Sequence, residues 1–188
     1  DDGFTEMVEL KNTTFGTKLY YKPTDRSRLT VDATVLNEYR RGGDQLDLPP
    51  HLTDITEELT HNTLMGGVNY DLSNATNTNN FSIYSSVQYT NRDSYYGGLG
   101  GGRTAQDSLT ALNAYGTTTD LALANGFQFT RQFKRDILTT GIEYNISTTE
   151  DVIPGYNRLI DQNVNATGLY AQYEWKPNKK FKCQLYLY

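Results

Sequence analysis

Apolar side chains recur at every second position in eight separate stretches of this chain, and this period constrains the fold more than any other feature. A two-residue period places alternate side chains on opposite faces of a β-strand. In one stretch, for example, Leu29 and Val31 alternate with Thr30 and Asp32. The eight stretches cover residues 15–21, 29–38, 63–71, 81–89, 120–129, 138–145, 168–175 and 181–188. The sequence therefore predicts an all-β, antiparallel up-and-down arrangement of about eight strands.

Two environments can produce this alternation. A water-soluble sandwich or barrel buries the apolar face of its strands, whereas a transmembrane barrel turns that face toward lipid. No stretch approaches the roughly 20 consecutive apolar residues that a spanning helix needs, so a membrane interpretation must rest on strands. The alternating stretches have about the length, roughly 9 to 11 residues, with which a tilted strand crosses a bilayer.

The connections between the predicted strands favour the membrane interpretation, because they alternate strictly between short and long. The short turns are residues 22–28, 72–80, 130–136 and 176–180, and the long loops are residues 39–60, 92–118 and 147–163. Outer-membrane barrels combine short periplasmic turns with long outer loops. Aromatic residues on the apolar side also lie beside the short turns, as an interfacial girdle requires: Tyr21, Tyr70, Phe129 and Trp175. We therefore predict transmembrane barrel strands.

Composition and motifs argue against several classes of function. The net charge of −5 provides no basic field for nucleic acid, so no nucleic-acid partner is expected. Cys183 is the only cysteine, which permits no internal disulfide. His51 and His61 are too few for a metal triad, and no nucleophile elbow or Cys–His signature is present. We predict neither enzymatic activity nor a cofactor.

Two long connections contain features of their own. Asp44, Asp47 and Asp54 are carboxylates that could hold calcium, although they lack the spacing of a known calcium loop and a solvated acidic loop is the alternative. The glycine-rich run at 97–102 lacks the Lys-Ser/Thr of a phosphate loop, which favours a flexible surface segment. The residues after it, 104–114, could form a short helix.

Several separated stretches resemble TonB-dependent outer-membrane receptors, most closely a branch often labelled cobalamin-receptor-like. The resemblance rests on NEYRRGGD at 37–44, LDLPPH at 46–51, DITE at 54–57, DVIPGYNR at 151–158 and QYEWK at 172–176. These segments occur in the right order and the likeness spans roughly residues 3–180. It implies a 22-stranded barrel closed by an N-terminal plug, with import powered through TonB.

The chain departs from that family pattern, since it has about eight predicted strands and contains no plug, TonB-contacting segment or signal peptide. We therefore expect residues 1–188 to be a single internal barrel segment in the outer membrane of a Gram-negative bacterium. Its expected partners are outer-membrane lipid, the rest of the parent barrel and plug, TonB through the missing N-terminal part, and a small nutrient ligand. The apolar face of the last strand puts Tyr188 on the other face, and we interpret the tail as a truncation.

The leading functional hypothesis is part of an importer for a scarce nutrient such as cobalamin or a metal chelate. Ligand contacts are expected from the long outer loops, because aromatic and arginine side chains anchor ligands efficiently. The candidates are Tyr95, Tyr96, Arg103, Tyr115, Tyr156 and Arg158. The alternatives are a complete eight-stranded barrel acting as an adhesin or structural anchor, a membrane-embedded hydrolase or acyltransferase, and a soluble binding barrel.

Overall fold

The computed structural model describes residues 9–178 and 180–187, and these residues form one antiparallel β-sheet of eight strands. The strands are β1 (Glu9–Thr24), β2 (Ser27–Gly43), β3 (Thr56–Ser73), β4 (Asn79–Gly97), β5 (Tyr115–Gln132), β6 (Ile137–Ile153), β7 (Arg158–Asn178) and β8 (Phe181–Leu187). Each strand pairs with the next along the chain. This up-and-down topology confirms the predicted fold class. Tyr188 lies outside the described residues.

Most strands are longer than the sequence pattern predicts. β3 has 18 residues and β4 has 19, so the long loops predicted at 39–60, 92–118 and 147–163 are wrong in extent. The observed connections at that end of the sheet are 44–55, 98–114 and 154–157. Apolar alternation stops where these strands leave the apolar layer, but backbone N–H and C=O groups still need partners. The hydrogen-bonded ladder therefore continues through polar sequence. We call this end of the sheet the long-loop end and the opposite end the short-turn end.

The strand register separates the sheet into an apolar face and a polar face. Directly opposed residues in antiparallel strands project to the same side. One such row crosses seven strands through Tyr21, Leu29, Tyr70, Ile83, Phe127, Ile142 and Leu169. On this apolar face, Val35 is 43% exposed, Val68 47% and Leu169 68%. The soluble-barrel alternative, which would enclose these side chains in a dry interior, is therefore wrong for the described residues.

The apolar face has the height of a bilayer's hydrocarbon layer. On β3 its side chains run from Leu64 to Leu72, roughly 27 Å along the strand at about 3.3 Å per residue. At a strand tilt of about 40° this corresponds to about 20 Å, close to the apolar band of about 25 Å in outer-membrane barrels. The row above Leu64 is polar and contains the paired residues Asn37, Asn62 and Asn91. We call this the asparagine row; it marks the edge of the apolar layer.

Aromatic side chains gather on the apolar face near the short-turn end. Phe81 and Phe129 are cross-strand partners with ring centroids 4.9 Å apart. Trp175 packs edge-on against Phe181 with centroids 6.1 Å apart, and 47% of Trp175 is exposed. Rings at this level suit a membrane–water interface, where their apolar bodies contact lipid.

The polar face carries tyrosine rings that cover glycines. The ring of Tyr84 lies where a side chain on Gly126, its cross-strand partner, would project, and its hydroxyl donates a hydrogen bond to Glu143. Tyr170 covers Gly141 in the same way. A glycine at these positions permits the ring to lie flat over the neighbouring strand, so the polar face is filled by large side chains that bond to one another.

Candidate functional site

Most of the residues that are buried in the described structure lie at the long-loop end and not in the middle of the sheet. They come from the connections 44–55 and 98–114 and from the adjoining ends of the strands: Arg41, Thr53, Thr56, Leu59, Ser94, Tyr95, Ala111, Ala114, Thr118, Asp151 and Ile153. Loops and strand ends that pack on one another hold side chains in fixed positions. The long-loop end is therefore the region where a defined site can exist.

The two longer connections dock on each other through their backbones. The N–H of Leu99 donates to the carbonyl of Thr53 at 2.7 Å, and that of Gly100 donates to Asp54 at 2.9 Å. Gly98 has a φ of +146°, and a side chain there would collide with the Asp54 carbonyl. The glycine run is thus needed for close backbone approach, and it is fixed against a second loop.

An ion pair reinforces this contact. Nη1 of Arg103 lies 2.7 Å from Oδ1 of Asp54, and the N–H of Gly101 donates to the same oxygen at 3.1 Å. The hydrogen bond from Arg103, followed by that from Gly101, holds the pKa of Asp54 below its ordinary value. The carboxylate in turn raises the pKa of Arg103. Arg103, one of the predicted ligand residues, is therefore engaged in joining the two loops.

The predicted helix in this region is confirmed as α1 (Ala105–Leu112). Thr104 caps its first turn, because its hydroxyl accepts the N–H of Asp107 while the Asp107 carboxylate accepts the N–H of Thr104. The Thr104 hydroxyl also donates to the Asp107 carboxylate at 2.7 Å, and this bond, followed by the one from the Thr104 N–H, lowers the pKa of Asp107. Such a reciprocal capping box satisfies two backbone donors at a helix start. No helix in the described part of the chain is long and apolar enough to cross a membrane.

Two of the three acidic residues of the connection 44–55, Asp44 and Asp54, are used within the loop contacts. Oδ1 of Asp44 accepts the N–H of Ile55 at 3.0 Å, and Asp54 is paired with Arg103. Across residues 9–178 and 180–187, no three His, Cys, Asp or Glu side chains gather where they could hold a metal ion. The calcium site considered for Asp44, Asp47 and Asp54 thus has no cluster to support it in this structure.

Two of the predicted ligand residues form an aromatic cluster on the strands and not on loops. Tyr95, near the end of β4, and Tyr115, at the start of β5, are cross-strand partners with ring centroids 4.7 Å apart. Nδ1 of His51 lies 3.0 Å from the Tyr115 hydroxyl. Burial raises the pKa of Tyr95 to about 12, and only 1% of this residue is exposed. A direct ligand contact by Tyr95 would require the overlying loops to move.

The Tyr96 side chain projects to the opposite, polar face, whereas the Tyr156 hydroxyl lies on the Tyr95 side of the sheet, where a side chain on Gly97 would project. Tyr96 also belongs to β4, so its prediction as a loop residue is wrong, whereas Tyr156 lies in the tight connection between β6 and β7. The Tyr156 hydroxyl donates a hydrogen bond to the Tyr96 carbonyl. The N–H of Gly155 donates to the Asn113 carbonyl at 2.7 Å, so the connection 154–157 is tied to the segment just after α1. About half of Tyr156 stays exposed.

Arg158, the first residue of β7 and likewise not a loop residue, belongs to a charge network on the polar face. Its Nη2 lies 2.7 Å from Oδ2 of Asp151, which is 3% exposed. Asp151 also accepts a hydrogen bond from Thr118 at 2.7 Å, and Thr118 is bonded to Arg92 at 2.7 Å. One buried carboxylate therefore lies between two guanidinium groups contributed by β4 and β7.

A second charged group lies on the same face across β2 and β3. Arg40 and Glu38 are 2.7 Å apart, and Nδ1 of His61 lies 3.9 Å from the same Glu38 oxygen. In both groups the carboxylates of Glu38 and Asp151 are covered, whereas the side chains of Arg40 and Arg158 are about half exposed. Arg40 and Arg158 thus present two partly exposed cationic side chains at the long-loop end of the polar face, where Glu57 is an exposed carboxylate.

The sequence prediction missed Arg92, Thr118 and Asp151, because the signal for them is the strand register. Thr118 is the cross-strand partner of both Arg92 and Asp151. The three residues are far apart in the chain and lie in stretches that were assigned to loops. Extending the alternation of β4, β5 and β6 by several residues would have placed them in one row.

Comparisons with known proteins find relatives in solved structures only. No family model matches the chain, and no curated protein matches it. The copper transporter OprC superimposes with a TM-score of 0.66 at 9% identity over 90% of this chain and 28% of its own. The ferric citrate transporter FecA superimposes with a TM-score of 0.57 at 11% identity, over 90% of this chain and 25% of its own. The ferric yersiniabactin uptake receptor FyuA from Yersinia pestis superimposes with a TM-score of 0.55 at 12% identity, over 95% of this chain and 28% of its own.

These similarities establish the fold. The eight antiparallel strands match barrel strands of TonB-dependent outer-membrane receptors. The chain spans 25–28% of the length of each of these three structures. The matched proteins are named for copper and ferric ligands, so membership of a cobalamin-receptor-like branch stays a prediction.

Proposed function

We propose that this chain forms part of the barrel wall of a TonB-dependent outer-membrane importer, and that the imported nutrient is an anionic metal chelate. The observation that carries the proposal is the arrangement of one single-layered sheet. One face of the sheet carries an exposed apolar layer. The other face carries the partly exposed side chains of Arg40 and Arg158 at the long-loop end.

The apolar face supports placement in the outer membrane. Its side chains are exposed over the height of a hydrocarbon layer and would be costly to leave in water. The polar face would then line the barrel interior, and the long-loop end would face outward, as in other outer-membrane barrels. The likeness to barrel strands of solved importers points the same way.

The free sheet edges support a larger barrel over a closed eight-stranded one. Among the described residues, β1 pairs only with β2 and β8 only with β7. An unpaired strand edge is untenable in lipid, because its N–H and C=O groups have no water to bond. We infer that further strands of the parent protein pair with these edges, and that a plug and a TonB-contacting segment belong to the rest of that protein.

The charge distribution favours an anionic ligand over cobalamin. Arg40 and Arg158 expose about half of their side chains on the polar face, whereas Glu38 and Asp151 are covered. Exposed guanidinium groups bind carboxylates and other planar anions through two parallel hydrogen bonds. A metal ion chelated by carboxylate or phenolate groups presents such a surface.

Within the predicted ligand set, the proposal assigns direct contact to Arg158 and Tyr96. Tyr156, whose hydroxyl lies on the Tyr95 side of the sheet, would tie the connection 154–157 to β4. Arg103 would act by joining the loops 44–55 and 98–114 through Asp54. Tyr95 and Tyr115 would position the same loops from the apolar-face side, since their rings pack on each other beneath His51.

Uptake measurements in the native host test the proposal. We expect deletion of the gene to abolish import of one labelled ferric or cupric chelate, and collapse of the proton gradient to abolish it in the wild type. Arg158→Ala and Arg40→Ala should raise the half-saturation concentration about tenfold, as expected when a charge-assisted hydrogen bond is lost. Arg26→Ala, in a short turn, is the matched control and should have no effect.

Two results would contradict the proposal. One is unchanged import of every tested chelate in the deletion strain. The other is cobalamin import that depends on the gene and is insensitive to Arg158→Ala and Arg40→Ala, which would keep the importer but replace the anionic chelate by cobalamin.

A further inference from the structure

A cavity of about 310 Å³ lies at the long-loop end on the side of the apolar face. Its main lining residues are Thr60, Asp93, Tyr95, Tyr115, Thr117 and Pro154. These strand residues project to the same side as Leu64 and Leu121, whereas Arg92 and Thr118 project to the polar face. The sheet itself separates the cavity from the charge network, so the proposed import path does not use it.

Glu58 and Ser94, which also line this cavity, are bonded inside the protein, but three other polar groups of the cavity are not. Thr60, Asp93 and Thr117 form one cross-strand row on β3, β4 and β5. None of their three side chains has a hydrogen-bond or ion-pair partner among the described residues, and Asp93 and Thr117 are exposed. By contrast, Thr118, which follows Thr117 on the other face, is buried and bonded to Asp151. The row thus presents one carboxylate and two hydroxyls to an external molecule.

An aromatic ring forms the wall beside these groups. Tyr115 is 39% exposed. Its ring packs against that of Tyr95, with centroids 4.7 Å apart, and its hydroxyl is hydrogen-bonded to His51. A fixed aromatic face offers a flat apolar surface with a negative quadrupole. The C–H groups on one side of a sugar ring pack on such a face while its hydroxyls reach neighbouring acceptors.

The position of the cavity along the membrane normal indicates which part of the membrane it contacts. Leu64 is the last apolar-face residue on β3, Asn62 belongs to the asparagine row, and Thr60 lies in the cavity row. The four residue steps from Leu64 to Thr60 correspond to about 13 Å along the strand and about 10 Å along the membrane normal. The cavity is therefore outside the hydrocarbon layer, at the level of large headgroups.

We propose that this cavity binds a sugar residue in the headgroup of an outer-leaflet glycolipid. Asp93 accepts two sugar hydroxyls, Thr60 and Thr117 bond to others, and the ring stacks on Tyr115. The free carboxylate disfavours a bare phosphate, whose negative charge it would repel. The site faces the membrane side of the barrel wall, so the inference rests on the membrane placement of the sheet and is independent of import.

Binding to the purified full-length outer-membrane protein in detergent tests the site. The probes are lipopolysaccharide that carries core sugars, lipid A that lacks them, and the free core oligosaccharide. We expect the sugar-bearing glycolipid to bind more tightly than both other probes. Asp93→Asn should weaken its binding about tenfold, since a charge-assisted hydrogen bond is lost. Tyr115→Phe should retain binding, whereas Tyr115→Ser should lose it.

Asp120→Asn is the matched control, because Asp120 lies on the polar face of β5 close to the same height. It should leave glycolipid binding unchanged. Equal affinities for lipid A and the sugar-bearing glycolipid would overturn the proposal, as would equal affinities of the wild type and Asp93→Asn. Binding of the free oligosaccharide as tight as that of the glycolipid would indicate a soluble ligand instead. A difference between wild type and Asp93→Asn that disappears with a chelator would indicate a divalent cation.

Import of the labelled chelate separates this inference from the proposed function. Asp93→Asn should import normally while losing the glycolipid, and correct assembly of each variant is checked by heat-dependent gel mobility. A variant that imports normally and also binds the glycolipid normally contradicts the sugar site alone.

Discussion

The apolar layer and the long-loop end of this sheet are built from the same strands but stabilised in different ways. In the apolar layer, side chains such as Val68 and Leu169 are exposed and contact no second layer of the described protein. At the long-loop end, Tyr95 and Asp151 are almost completely buried and contact residues from other strands and loops. The comparison teaches that the packed core of this structure begins where the apolar layer ends, because there the loops pack on the strand ends and exclude water from their contacts.

The largest effect should come from a charge placed in the apolar layer. Val68 lies midway between Leu64 and Leu72 on β3, and we expect Val68→Arg to destabilise the folded barrel by about 2–4 kcal/mol. The same side chain introduced at Thr60, above the asparagine row, should change stability by less than about 0.5 kcal/mol. Urea unfolding of the full-length protein in lipid vesicles measures both. Equal effects at the two positions would show that lipid does not cover the apolar face.

A smaller effect is expected from the buried carboxylate at the long-loop end. Asp151→Asn removes the charge between Arg92 and Arg158, and we expect a loss of about 1–3 kcal/mol, moderated because both arginines are partly exposed. Glu150→Gln is the matched control, since Glu150 is its exposed neighbour and should change the free energy of unfolding little. If Asp151→Asn is as well tolerated as Glu150→Gln in the same unfolding assay, the network does not stabilise this end.

The polar face can be probed with two glycines. A methyl group on Gly141 would collide with the ring of Tyr170 and lie 2.7 Å from the Phe127 carbonyl, whereas a methyl group on Gly168 has no neighbour within 4 Å. Gly141→Ala should therefore cost about 1–2 kcal/mol, as in other overpacked sites, and Gly168→Ala should be neutral. Thermal unfolding in detergent compares them. Indistinguishable midpoints would mean that Tyr170 does not lie over the glycine.

The smallest effect concerns the contact between the two loops, which should depend on pH. The pKa of Asp54 is lowered from 3.8 in the folded state, so the Arg103–Asp54 pair contributes at pH values above the unfolded pKa. This contribution is lost as the pH falls through the lower, folded pKa. Spin labels at positions 47 and 106, in a Cys183→Ser background, should show a narrow distance distribution at pH 7 that broadens below about pH 4.

In Asp54→Asn the same distribution should already be broader at pH 7 and should respond less to acid. A distribution that is unchanged across this pH range in both proteins would contradict a role for the ion pair in holding the loops together.

The accuracy of the sequence prediction differs between the two regions. The alternation of residues such as Leu29, Val31 and Ile83 predicts their strands, because the apolar layer requires one face of every strand to be apolar. Above that layer the requirement ends, and the end of β4 that contains Tyr95 and Tyr96 was therefore predicted as a loop. The short helix α1 was predicted correctly from local sequence, since its capping residues Thr104 and Asp107 act within one turn.

The candidate site was predicted only in part. The sequence indicated Arg158 as a residue type suited to ligand binding, but not that it is held by Asp151. It indicated Arg103 without its partner Asp54, and it grouped Tyr95 with Tyr96 although consecutive strand residues face opposite sides of the sheet. Pairings between residues tens of positions apart leave no local pattern, so only the register of the sheet reveals them.

By itself, the sequence determined the all-β class, the number of strands, the apolar face and the end at which the long connections lie. These properties follow from the side-chain period and from the turn positions, which act locally. The tertiary structure decided how far each strand continues, which charges meet on the polar face, and that Thr60, Asp93 and Thr117 share one row. These depend on strand register, since a shift by one residue would move every side chain to the other face.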